Sequence, residues 1–331
     1  MYRYIYAEDT PELIIQLSKT SAMQRLAGVG MHCGCEYTKV PLYQKERSTY
    51  TRLIHSVGVS KIVWNFTHDI RQAVAGLLHD IATPAFAHTI DFMRGDYLTQ
   101  ESTEDRTLSF IENSEEITEL LSKHHIRMED VSDYHKYPIA DNDTPMLSAD
   151  RLEYTIGNGY HIYHMEAEKL GEIYKELTVS ENEHGTEELC FRSLNAALNF
   201  IEISQLNSHY FVSDENRFSM QYLADIMRSA MNQGLLGPDD LYTTETEVIQ
   251  KLNTEKEIAK LWKSYTEITS VMASADKPKD CYSVNVSAKK RFIDPLVLQE
   301  GKPRRLTEID SGIRDRIQTF LNTDFNSWIF L

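Results

Sequence analysis

Four side chains in this 331-residue sequence combine lone pairs and charge with apolar surroundings: His55, the adjacent pair His79-Asp80, and Asp150. His55 lies in RLIHSVGV, His79-Asp80 closes the run AGLLHDI, and Asp150 lies in SADRLEY. The flanking apolar residues recur at helical spacing, so these groups sit inside or beside helices that must be buried. An ionised carboxylate in such a place is costly without a partner. Two imidazoles and two carboxylates together form a set that one divalent metal ion satisfies, and His/Asp donors suit Mn, Fe, Co, Ni, Mg or Zn. Such an ion polarises a phosphoryl oxygen and lowers the pKa of water from about 15.7 to roughly 7.

Groups suited to a phosphate ester surround this set. Arg52 precedes His55 by three positions and shares its helix face. Its planar fork matches a phosphate. Arg151 neighbours Asp150 and is a second candidate phosphate contact, while Tyr154, four positions after Asp150, is placed to pack against a sugar. The plain alternative for either arginine is an ion pair or a solvated surface position.

These segments resemble the HD-domain superfamily, over residues 23–160 most clearly its nucleoside triphosphohydrolase branch. That family's pattern of a His, a His-Asp pair and a distant Asp on one metal falls here on His55, His79-Asp80 and Asp150. Arg52-x-x-His55-Ser56-x-Gly58-Val59 resembles its first segment. His79-Asp80 through Pro84, Phe86 and His88 resembles its second, and Ala149-Asp150-Arg151-Leu152 with Tyr154 its third. Gln24-Arg25-Leu26 resembles the lead-in to its Gly-rich loop, and Lys289-Arg291-Ile293-Asp294-Pro295 a β segment of some bacterial members. The resemblance implies a mainly α fold with an HD-type helical core, one divalent metal, and metal-dependent hydrolysis of a nucleotide. A (deoxy)nucleoside triphosphate is the first expectation and a monophosphate the second.

The sequence departs from that branch in its proton-handling residues. Thr83 and Gln100 stand where histidines are usual, and Asn158 stands where an Asp reads the sugar. Thr and Gln cannot carry a proton near neutral pH. Either another residue, Asp91, Glu101 or His88, takes the catalytic role, with the two carboxylates the first candidates, or the reaction or substrate differs, or the chain is a nucleotide-binding regulatory protein on the same scaffold. A two-metal oxygenase or phosphodiesterase using His88 or His124-His125 is a further alternative.

Other candidates read more plainly. His68-Asp69 is a second His-Asp pair, but no apolar helix leads into it, so it reads as a loop or helix start. His88 reads as structural, His124-His125 as an exposed helix end, and His161 and His164 as surface or packing residues. His32 beside Cys33 and Cys35 has no fourth ligand at a suitable spacing. With Cys190 and Cys281, these read as reduced thiols of a cytoplasmic protein.

The elements that must position the set are mostly helices, punctuated by only 9 prolines and 14 glycines. Periodicity predicts helices over 11–27, 51–66, 69–79, 102–125, 147–156, 160–178, 187–206, 216–235, 244–273 and 307–323, with irregular chain over 28–50 and 128–145. Alternation at Tyr282, Val284 and Val286 with a turn at Glu300-Gly301-Lys302-Pro303 predicts a β-hairpin. The expected division is an HD-type metal-binding core over 1–165, a further helical region over 166–274, and the hairpin plus a last helix over 275–331. The net charge of −16 argues against non-specific binding to nucleic acid. No apolar run reaches the roughly 18 residues a membrane span needs, and no signal-peptide pattern is visible. Long C-terminal helices make a homo-oligomer possible.

Overall fold

The computed structural model describes residues 5–6, 9–98 and 106–331. The chain is mainly α. Its helices are α1 (Glu12–Ser18), α2 (Ser21–Gln24), α3 (Arg52–Thr67), α4 (Ile70–Leu78), α5 (Thr89–Arg94), α6 (Thr107–Glu112), α7 (Glu115–Lys123) and α8 (Ala149–His161). They continue as α9 (Ala167–Lys175), α10 (Leu194–Phe211), α11 (Asp214–Asn232), α12 (Glu245–Leu252), α13 (Lys256–Thr266), α14 (Leu306–Ile309) and α15 (Ser311–Asn322). No helix among the described residues is long and apolar enough to cross a membrane.

Local chemistry sets the boundaries that matter most. The Thr51 side chain caps α3 by accepting from the Ile54 amide, and Ser148 caps α8 by accepting from the Arg151 amide. Between α3 and α4 the chain reverses through two residues, the second His-Asp pair. His68 ends α3 in the left-handed region at φ 51°, and the Asp69 side chain caps α4 at the Arg71 amide. This pair is turn chemistry, as its sequence setting indicates. Helix α3 is buried around most of its circumference and packs on both α4 and α8.

The strands are more numerous than the periodicity predicts. A four-stranded sheet runs β1 (Leu177–Glu181), β2 (Glu187–Phe191), β5 (Leu296–Gln299), β6 (Lys302–Arg305). Strands β1/β2 and β5/β6 are antiparallel hairpins, and β2 pairs parallel to β5. A second sheet, β3 (Met272–Ser274), β7 (Trp328–Phe330), β4 (Ser283–Val284), joins the end of the chain to the segment around Val284. The helix expected over 187–206 therefore opens as a strand, and those over 160–178 and 244–273 end before one. Leu189, Cys190 and Phe191 are all buried, and a short continuous apolar run of this kind reads alike as helix or buried strand. The turn at Glu300-Gly301 belongs to β5/β6, whereas the Tyr282–Val286 alternation pairs elsewhere, with β7.

Among the described residues two large apolar cores and one small cluster around Val212, Ala288 and Phe320 result. One large core gathers α1, α3, α4, α8 and α10; the other gathers α5, α11, α12, α13 and the second sheet. Buried arginines tie the C-terminal strands to these cores. Arg217 donates to the carbonyls of Val212, Val286 and Phe325. Arg305 spans the fully buried Glu188 and the carbonyl of Asp294. These bonds hold the chain at Val286 and Asp294, on either side of Lys289 and Arg291, which line a cleft.

Candidate metal centre

His55, His79 and Asp80 bring donor atoms within 4.8 Å of one another. The Asp150 Oδ1 lies 2.9 Å from His55 Nε2 and 3.7 Å from His79 Nε2. The four residues singled out from the sequence thus converge, although they come from α3, the end of α4 and α8. Both imidazoles are oriented from behind. His79 Nδ1 donates to the Gly76 carbonyl at 2.8 Å, and His55 Nδ1 donates to Glu153 Oε2 at 2.5 Å. Since a carbonyl and a carboxylate only accept, Nδ1 carries a proton in each ring, and Nε2 is the nitrogen turned toward the carboxylates, where it would ligate a bound ion in place of the proton that His55 shares with Asp150. Two buried imidazoles so oriented, beside two carboxylates, have the donor chemistry of a divalent-ion site.

The charges of the set also balance one another. Burial disfavours the charge of Asp80, yet Arg52, His79 and His55 hold its carboxyl below the usual range. Burial likewise opposes ionisation of Asp150, and the hydrogen bond from His55 outweighs it. Burial opposes a charged His55 too, but Asp150 and Glu153 together push it up to about 10.

Glu153 is a site residue that the sequence reading passed over. It lies three positions after Asp150 on α8, is fully buried, and also accepts from the Tyr50 hydroxyl. Two glycines make room for it. A Cβ at Gly58 would meet Glu153 Oε1 at 2.5 Å, and one at Gly157 would meet the Tyr50 hydroxyl at 2.1 Å. Their absence of side chains lets α3, α8 and the Tyr50 segment approach closely enough for the carboxylate to reach His55. The signal available in the sequence was an acid one helical turn from Asp150, opposite a glycine one turn from His55.

The remaining expected residues divide. Arg52 is buried and donates through Nη1 to Asp80 Oδ2 at 3.0 Å. Tyr154 lines the cavity that His55 and Asp150 face. Arg151 donates to Asn142, the Met146 carbonyl and Ser148, and lies 3.4 Å from Asp141, so it braces the loop before α8 and is absent from the cavity wall. Asp91 is fully buried and accepts from His88 Nδ1 at 2.9 Å. The group presented to the cavity is therefore His88, with Asp91 behind it. Of the residues offered for the proton role, His88 thus borders both clefts and Asp91 backs it. Glu101 and Gln100 lie outside the described residues. Thr83 donates to Asp80 Oδ1 at 2.7 Å.

Two clefts meet at this set. One, about 850 Å³ and open to solvent, is walled by His55, Asp150, Tyr154, Phe211, Lys289 and Arg291 among others. The other, about 1050 Å³, is reached past His79, Asp80, Thr83 and Tyr134. Arg52 and His88 border both. The turn carrying His79 and Asp80 is held by Arg25, which donates to the carbonyls of Ile81 and Thr83 at 2.8 Å each. His88 follows two non-glycine residues with positive φ, Phe86 at 61° and Ala87 at 43°. That strained backbone is anchored by the buried Glu245, whose Oε1 accepts from the amides of both Phe86 and Gly30.

Fold and site together define a helical protein with a largely buried His/His/Asp/Asp cluster that lines a partly basic cleft. No family model matches the chain. It is 24% identical over 305 residues to the uncharacterised protein YdhJ of Bacillus subtilis, covering 90% of this chain and 88% of that one. It is 26% identical over 154 residues to the metal-dependent phosphohydrolase cns2 of Cordyceps militaris, covering 46% of this chain and 42% of that protein. Among solved structures, a hypothetical protein from Aquifex aeolicus superposes with a TM-score of 0.67 at 18% identity, covering 97% of this chain and 93% of that one. A phosphohydrolase from Bacteroides thetaiotaomicron superposes with a TM-score of 0.66 at 16% identity, covering 98% and 95%. At such identities the structural likeness establishes a shared fold over nearly the whole chain.

Proposed function

We propose that this protein is a metal-dependent phosphohydrolase acting on a nucleotide, with His55, His79, Asp80 and Asp150 holding one divalent ion. The observation that carries the proposal is the convergence of these four donors, with both imidazoles fixed through Nδ1, on a cleft that also contains Arg52, Lys289 and Arg291. The similarity to a metal-dependent phosphohydrolase over part of the chain, and the fold shared with another phosphohydrolase, favour the same reading. A divalent ion bound there would supply Lewis-acid polarisation of a phosphoryl oxygen and a water of lowered pKa.

The chain's own residues do the rest. Arg52 is oriented by Asp80 and faces both clefts, so its guanidinium is ready for a phosphoryl oxygen without first having to be ordered. His88, with Nδ1 fixed by Asp91, presents its other nitrogen as the proton carrier to the leaving oxygen. Tyr154 and Phe211, in edge contact, form an apolar wall for the rest of the substrate. A (deoxy)nucleoside triphosphate is the first substrate to test and a monophosphate the second.

One observation favours a nucleotide-binding protein without turnover. Thr83, which cannot carry a proton near neutral pH, stands beside the donor set and spends its hydroxyl on Asp80. A screen of nucleotides with Mn, Mg, Fe, Co and Ni, reading phosphate, pyrophosphate and triphosphate separately, tests both. Metal-dependent release of any of the three supports the enzyme. Tight binding with no release from any nucleotide supports the regulatory reading, and neither binding nor release refutes both.

A further inference from the structure

His32 lies in the same cleft wall as His55 and Asp150, on the loop between the Gly30–Thr51 bridge and Cys35. Its side chain is 3% exposed and is packed by Tyr43, Tyr50 and Tyr210, with ring centroids 5.5, 6.3 and 6.4 Å away. Its Nε2 has no hydrogen-bond partner, and the Glu46 carboxylate at 3.9 Å is too far to provide one. On the same wall Asn158 spends its Nδ2 on Asn207 while its Oδ1 is also buried and unpartnered. A buried polar atom left without a partner costs about 1–3 kcal/mol, so two on one wall call for an explanation.

The groups around His32 argue against a metal or a phosphate as that explanation. Cys33 is pushed by burial up to about 11 and Cys35 well above its usual value, so neither thiol is a ready ligand. His32 itself is lowered by burial to about 3 and is neutral, so it offers a phosphate no charge, whereas Arg52, Lys289 and Arg291 in the same cleft do. A neutral imidazole edge flanked by aromatic rings suits a hydroxyl, an amine or a heterocyclic nitrogen.

We infer that His32 is a specificity-determining residue whose Nε2 hydrogen-bonds the nucleoside portion of the substrate, base or sugar. This inference rests on the nucleotide reading above. In it, the cations and the metal hold the phosphate while the loop from Gly30 to Cys35 distinguishes a nucleotide from other phosphate esters.

The test is calorimetric. Metal-loaded wild type, His32→Phe and His32→Gln are titrated with the four ribonucleoside 5′-monophosphates, ribose 5-phosphate and inorganic phosphate, with phosphate release followed in parallel so that binding is read before turnover. His32→Phe should weaken nucleotides about ten-fold or more, the equivalent of one unsatisfied polar group, and leave inorganic phosphate within about two-fold. His32→Gln, which can place an amide near the lost Nε2, should recover part of the affinity. A parallel loss for ribose 5-phosphate assigns the contact to the sugar, and its absence assigns it to the base. Equal effects on nucleotide and inorganic phosphate, or no effect on either in a folded variant, overturn the role of His32. Wild type that binds nucleotides no better than inorganic phosphate overturns the nucleotide reading itself.

Discussion

Replacing Glu153 by Gln should weaken the divalent ion without removing a ligand. Glu153 is fully buried, and its Oε2 accepts both from His55 Nδ1 at 2.5 Å and from the Tyr50 hydroxyl. Gln keeps the shape and one accepting oxygen but removes the charge. If that oxygen stays on His55, a hydrogen bond to an ion becomes one between neutral groups, a loss of roughly 1–2 kcal/mol. If the amide nitrogen turns to His55 instead, two donors face each other and the ring swings out of register. Either way the imidazole becomes a poorer, less fixed ligand, and the expected fall in ion affinity is about 10- to 100-fold, in the range typical of residues that orient metal-bound histidines. Gly58→Ala reaches the same end from the other helix. Helix propensity alone would make it stabilising by up to about 1 kcal/mol. Its Cβ, however, would lie 2.5 Å from Glu153 Oε1 and 2.6 Å from Glu153 Cγ, so the carboxylate must withdraw from His55. Both variants are titrated with Mn against a chromophoric chelator, with circular dichroism confirming the fold. Wild-type affinity in two folded variants would refute the idea that Glu153 sets the His55 geometry.

Three further outcomes are expected. Asp80→Ala should lose stoichiometric metal, measured by elemental analysis, whereas Asp69→Ala should keep it and cost only about 1 kcal/mol of stability through the lost cap of α4. If nucleotide hydrolysis is found, His88→Gln should lower turnover by about 10²- to 10⁴-fold at full metal content. Asp91→Asn should follow it in direction, and a rate unchanged by both would remove the pair from the mechanism. Burial, reinforced by the Glu245 and Glu46 carboxylates, raises Glu36 to about 8, far above its value near 4.5 in an unfolded chain. The folded state then holds a proton that the unfolded state releases, so the contribution is fully present below pH of about 4.5 and is lost as pH rises toward about 8. Thermal melts from pH 5 to 8 should show wild type losing several degrees more than Glu36→Gln, and parallel curves would contradict the buried-acid assignment.

The sequence alone singled out the four candidate donors and the helices that bear them. His55, His79, Asp80 and Asp150 interrupt apolar runs whose period is that of a helix, a local signal that survives without knowledge of partners. The decoy His68-Asp69 was separable for the same reason. Only the tertiary structure decided what lies behind and beside the donors. Spacing says that Arg52 shares a face with His55, but not that the guanidinium meets Asp80. It places Asp91 near His88, but not which of the two is exposed to the cleft. Arg151 and Arg52 look alike in the sequence, yet one braces a loop and the other borders both clefts. The parallel pairing of β2 with β5 was equally illegible, since it joins segments about a hundred residues apart and the short run from Leu189 to Phe191 has no period of its own. A face is a property of one helix and can be read from a string. Which face meets which is fixed by how closely backbones approach, and here that distance was set by side chains that are missing, at Gly58 and Gly157.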